Sequence, residues 1–154
     1  MNYEAVLDKC TNSSVRNGLK AAIALLFERD ADLLDINADE RAIAHRLAMY
    51  LEPAFEGYRA DFSYNRMGAL PKKLTVSGKP ADVVYPDVIV HKRGVKDNLL
   101  VIEIKKSSNT ESRDWDREKL EAFKTDKDFE YPHALFLEIG VGDDAGTITD
   151  CFWV

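Results

Sequence analysis

Two apolar runs that carry charge where an apolar residue belongs constrain this chain most. The first is Tyr85-Pro86-Asp87-Val88-Ile89-Val90; the second is Leu99-Leu100-Val101-Ile102-Glu103-Ile104-Lys105-Lys106. Both are rich in β-branched residues and read as strands, joined by a turn around Gly94. Strand side chains alternate with period two, so Glu103 and Lys105 point to one face. Asp87 supplies a second carboxylate from the strand before them.

The remaining chain organises itself around that pair. Asn12-Ser13-Ser14 is a helix-start signal, followed by Val15, Leu19, Ile23 and Leu26 at helical spacing, with Gly18 as a local weakness. The stretch from Glu28 to Asp39 reads as a docked loop or a short helix. Asn37 opens a second helix that runs to about Leu51 and is ended by Pro53. From Tyr58 to Tyr64, the alternation of Tyr58, Ala60, Phe62 and Tyr64 with Arg59, Asp61 and Ser63 predicts a half-buried strand. Asn65 to Lys79 reads as a long loop. A helix is predicted from about Glu111 to Thr125, then strands His133–Ile139 and Thr147–Val154. A strand–helix–strand crossover favours a parallel pair, and Ala134 to Leu137, apolar on both faces, suits an interior strand. The fold class is α/β, a mixed β-sheet flanked by helices.

At 154 residues the chain is sized for a single domain, 1–154. Cys10 and Cys151 show no metal-ligand spacing and read as free thiols of a reducing compartment. There is no signal-peptide pattern and no apolar run of membrane-spanning length, so a cytoplasmic protein is expected. His45, His91 and His133 are scattered, and neither a phosphate-binding loop nor a serine nucleophile elbow appears. Net charge is −6, but unevenly spread: residues 1–65 carry −4, residues 66–106 carry +5 and residues 107–154 carry −7. The cationic block contains the two charged strands, and a local basic surface can contact phosphate on an acidic protein. Solvated loop lysines are the plainer reading of each residue taken singly.

The pattern Pro86-Asp87, spacer, Glu103-Ile104-Lys105 resembles the PD-(D/E)XK nuclease superfamily, whose members share a restriction-endonuclease-like core. The resemblance extends over roughly Asn37 to Val154, with a helix before the strands and a helix and strand after. It implies a small metal-dependent nuclease in which Asp87, Glu103 and the backbone carbonyl of Ile104 hold Mg²⁺, with Mn²⁺ able to substitute. Mg²⁺ takes hard oxygen ligands and keeps several waters. Lys105 would position the attacking water and stabilise transition-state charge. The competing reading of the trio is a surface salt bridge at a strand end.

Glu40 fits two roles. Family members often offer a glutamate from the helix before the strands, and Glu40 lies mid-face on the apolar stripe formed by Ile43, Ala44, Leu47 and Leu51. Asn37-Ala38-Asp39-Glu40 equally fits a capping box. Lys119, between Trp115 and Phe123 on its helix, is either a phosphate-facing residue or an i,i+3 partner of Asp116 whose stem covers apolar surface. Arg66, Lys72, Lys73 and Lys106 complete the candidate nucleic-acid contacts. DNA is the commoner substrate of such enzymes. No membrane partner is expected; a second copy or a specificity-giving protein partner fits a chain with no room for a recognition domain. A binding or assembly module that kept the fold without catalysis is the alternative.

Overall fold

The computed structural model describes residues 1–64, 74–76, 79–80 and 84–154. Its centre is a five-stranded sheet built from β1 (Arg59–Phe62), β4 (Val88–Lys92), β5 (Asp97–Lys106), β6 (His133–Ile139) and β7 (Ile148–Trp153), side by side in that order. A separate two-stranded ribbon, β2 (Thr75–Val76) and β3 (Lys79–Pro80), falls in and just past the segment read as a long loop, and Leu74 and Val76 are buried in the same cluster as Phe123 and Phe136. β1, β4 and β5 form an antiparallel meander, β6 runs parallel to β5, and β7 returns antiparallel to β6. The parallel step is forced by the crossover helix α5 (Asp114–Thr125), as the strand–helix–strand order predicts.

Helices α1 (Tyr3–Leu7), α2 (Ser13–Arg29), α3 (Ala31–Asp35) and α4 (Glu40–Leu51) precede the sheet. α2 and α4 pack on one face, where Leu19, Ile23, Ile43 and Leu47 meet Val88, Val90, Ile102 and Leu135. Each is a fully buried aliphatic side chain, a burial that contributes about 1.5–3 kcal/mol apiece. α5 covers the other face: Leu120 and Phe123 pack with Ile89, Val101, Ala134 and Phe136. Alternation along β5 therefore sends Ile102 and Ile104 toward α2 and α4, and Val101, Glu103 and Lys105 toward α5.

Gly18 of α2 is a requirement of packing, not only a weakness: a Cβ there would lie 2.7 Å from Cζ of Phe55. Asn37 does not open α4. It takes a left-handed φ of 55° and ends α3, with its N–H bonded to the Leu34 carbonyl and that of Ala38 to Leu33. Asparagine tolerates this conformation better than most residues. α4 starts instead at Glu40, capped by Asp39, whose carboxylate accepts from the Arg41 N–H. α5 is likewise shorter than the helix predicted from about Glu111 and begins at Asp114. Ser63, just after β1, has φ 51°. The twist there breaks the alternation, and Tyr64 packs with the α5-side cluster, away from Ala60 and Phe62.

Candidate functional site

β4 and β5 are paired so that Val88 faces Ile102, which puts Asp87 opposite Glu103 one step farther on. Asp87 sits at the start of β4, after the buried Pro86, which has no N–H to donate. Its carboxylate accepts from the Ile104 N–H at 2.7 Å, and its own carbonyl accepts from the Ser63 N–H at 3.1 Å. The residue is thus tied to both neighbouring strands.

Glu103 is completely buried, which excludes the surface salt bridge. Its Oε2 accepts from Nζ of Lys119 at 2.6 Å, while Oε1 has no hydrogen-bond partner among the described residues. Burial drives the Glu103 carboxyl well above the usual range, and the neighbouring Asp87 charge pushes it further. Asp87 is raised too: burial outweighs the opposing Ile104 N–H and the Lys119 charge. Burial pulls the Lys119 ammonium down, but the adjoining Glu103 carboxylate more than reverses this and its pKa lies above normal.

The cation seated on Glu103 is therefore Lys119. Lys105 shares the face, as its spacing predicts, but its ammonium lies 3.4 Å from Asp116 Oδ2 and 3.6 Å from Glu111 Oε2. Asp116 is 2 % exposed and stands between the lysines, with Oδ1 3.8 Å from Lys119. Sequence reasoning missed Asp116 as a member of the cluster. The signal was there: Asp116, Leu120 and Phe123 recur at i, i+4 and i+7, so a carboxylate occupies the apolar stripe of α5. Trp115, placed with that stripe by the sequence, is 48 % exposed.

Glu40 is the first residue of α4, which removes the capping box. Its Oε2 accepts from the Lys106 N–H at 3.0 Å and from the Asn109 side-chain amide at 3.2 Å, at the end of β5. Its charge also contributes to raising the Asp87 carboxyl. Lys106 is not a free phosphate contact: its ammonium donates to the Ala38 carbonyl at 2.9 Å, strapping the α3–α4 loop to β5. Other cations of the basic block are engaged as well. Lys92 pairs with Asp97, Arg93 with Asp61, and Lys96 with Glu130. Arg66, Lys72 and Lys73 lie outside the described residues.

Among the described residues, no three His, Cys, Asp or Glu side chains are arranged as a ready cation cage. The Asp87–Glu103 pair still fits Mg²⁺, which takes one or two carboxylates and retains water. Hard oxygens on adjacent strands and the unpartnered Glu103 Oε1 are the features that fit it. Asp87 also lines an open depression with Arg41, Ser63 and Tyr85, so this carboxylate can be approached from solvent, while Glu103 lies behind it.

Among the described residues no helix is long and apolar enough to cross a membrane. No protein-family model, no curated protein and no solved structure matches this chain.

Proposed function

We propose that this chain is a small metal-dependent nuclease of the PD-(D/E)XK type, with a restriction-endonuclease-like core. One observation carries the reading: Asp87 and Glu103, opposite each other on adjacent strands, share a buried, lysine-flanked sheet face and leave Glu103 Oε1 unpartnered. Buried carboxylates are costly unless compensated. A buried Glu103 beside a half-buried Asp87, both with raised pKa values, is the kind of arrangement that functional sites use. The antiparallel meander followed by a helical crossover to a parallel strand supports the same reading.

In this reading Asp87, Glu103 and the Ile104 carbonyl hold Mg²⁺. The bound ion supplies charge neutralisation at the phosphoryl oxygens and an acidified water. Lys119 fixes the Glu103 carboxylate through its 2.6 Å hydrogen bond. Lys105, held by Asp116, keeps a second ammonium on this face to stabilise the negative charge that builds on the phosphate. Glu40 braces the end of β5 through the Lys106 N–H.

The test is cleavage of plasmid and single-stranded DNA with Mg²⁺, Mn²⁺ or EDTA. Asp87→Ala, Glu103→Ala and Lys105→Ala should each abolish metal-dependent cleavage while circular dichroism stays native. Unchanged rates in two of the three would sink the assignment. A second reading, a non-catalytic binding or assembly module, is favoured by the ion-paired state of Lys92, Arg93 and Lys96. It predicts no cleavage with any metal.

A further inference from the structure

The open depression beside Asp87 has a composition suited to an unpaired nucleotide. Its walls are Arg41, Ser63 and Tyr85. Tyr85 is 52 % exposed, yet it precedes the buried Pro86, which restricts the backbone under it. Its ring pairs with no other aromatic or cation among the described residues. Arg41, in the first turn of α4, is exposed and makes no ion pair among the described residues; its guanidinium lies 6.0 Å from the Phe62 ring centre. Lys106, at the end of β5, is committed to the Ala38 carbonyl, and Lys92, Arg93 and Lys96, at the far end of the β4–β5 hairpin, are committed to carboxylates. A guanidinium with no ion pair among the described residues and a half-exposed ring therefore line the same depression as the Asp87 carboxylate.

We infer that Arg41 and Tyr85 form a binding subsite for single-stranded nucleic acid, with Tyr85 stacking an unpaired base and Arg41 holding the adjacent phosphate. This rests on the nuclease reading for its substrate and adds the strand preference. The chemistry of the depression suits a single strand better than a duplex. Base stacking on a side chain requires a base released from its own stack, and an aromatic platform binds any such base. Glu103 is fully buried and Lys105 and Lys119 nearly so, so a phosphate must descend toward them. A flexible strand can do this, whereas a stiff duplex pays to bend. Finally, duplex affinity comes from many simultaneous phosphate contacts. A chain of net charge −6 whose described cations are mostly paired offers few.

The experiment is fluorescence anisotropy in EDTA, which prevents metal-dependent cleavage, using one labelled oligodeoxynucleotide as a single strand and as a duplex. The wild-type chain should bind the single strand at least about tenfold more tightly. Tyr85→Ala should lose most of that preference and Tyr85→Phe should keep it, since stacking needs the ring alone. Arg41→Gln should weaken single-strand binding and reduce the salt dependence by about one counterion. Equal affinity for both forms, absent binding, or an unaltered Tyr85→Ala variant would overturn the inference. The two readings separate cleanly. Single-strand binding without cleavage in Mg²⁺ would remove the nuclease and keep the subsite; cleavage with equal binding of both forms would do the reverse.

Discussion

Nζ of Lys119 lies 2.6 Å from Oε2 of Glu103, joining the middle of α5 to the centre of the sheet. The carboxylate is completely buried and the lysine side chain is 11 % exposed. A pair this deep gains little over an apolar pair of equal volume, because both charges have lost their water. Breaking it is another matter, since one buried charge is then left alone.

Lys119→Met should therefore destabilise the fold by about 3–5 kcal/mol, and adding Glu103→Leu should restore most of the loss. Urea denaturation of the two single variants and the double variant measures this. Simple additivity would mean that the two side chains are not coupled in solution.

Asp87→Asn should stabilise the protein. Asp87 and Glu103 both carry raised pKa values, so between the ordinary carboxylate range and those values the folded chain binds more protons than the unfolded one. Stability contributed by such groups falls as pH rises through that window. Asn keeps an acceptor for the Ile104 N–H and removes the charge facing Glu103. A gain of roughly 1 kcal/mol at neutral pH is expected, or about 2–4 °C in melting temperature. The gain should shrink as pH falls through that window toward the ordinary carboxylate range, because the wild-type carboxyls then take up protons. Metal-dependent cleavage should vanish in the same variant. Melting curves across pH decide the matter, and a less stable Asp87→Asn protein would contradict it.

Asp61 behaves oppositely. Burial would raise its carboxyl, but hydrogen bonds from His91 and Arg93 hold it well below the usual range. Its contribution is present above the unfolded pKa and lost as pH falls toward the folded one. Asp61→Asn should cost about 1–3 kcal/mol at neutral pH and progressively less below about pH 4. Urea titrations at neutral and acid pH test the sign.

The strands of the site were legible because period-two alternation and β-branched composition act locally. Glu103 and Lys105 were placed on one face by that alternation alone; it is the β4–β5 register that sets Asp87 opposite Glu103. The partner of each lysine was not legible. Lys119 follows Asp116 by three residues, a spacing that by itself fits an ordinary surface pair. Only the crossover, which lays α5 over β5, turns Lys119 toward Glu103 and Asp116 toward Lys105. Asn37 failed for a different reason: it is as good at ending a helix in the left-handed conformation as at starting one. The same ambiguity moved Glu40 from the third helical position to the first.

Glu40 now holds the end of β5 rather than a helix cap. Its Oε2 accepts from the Lys106 N–H, two residues beyond the Ile104 backbone that would serve the metal, and from the Asn109 side-chain amide. Glu40→Ala leaves both donors without this acceptor and should cost about 1–3 kcal/mol. Glu40→Gln retains a carbonyl oxygen for the Lys106 N–H, so its melting temperature should hardly move. The Gln variant does remove a negative charge that acts on Asp87. If Glu40 supports the metal ligands, the Mg²⁺ concentration for half-maximal cleavage should rise on the order of tenfold in Glu40→Gln. The two variants thus divide the roles: Ala reports the brace, Gln reports the charge. A wild-type Mg²⁺ dependence in Glu40→Gln would reduce Glu40 to a structural brace and leave Asp87 and Glu103 as the ligand pair.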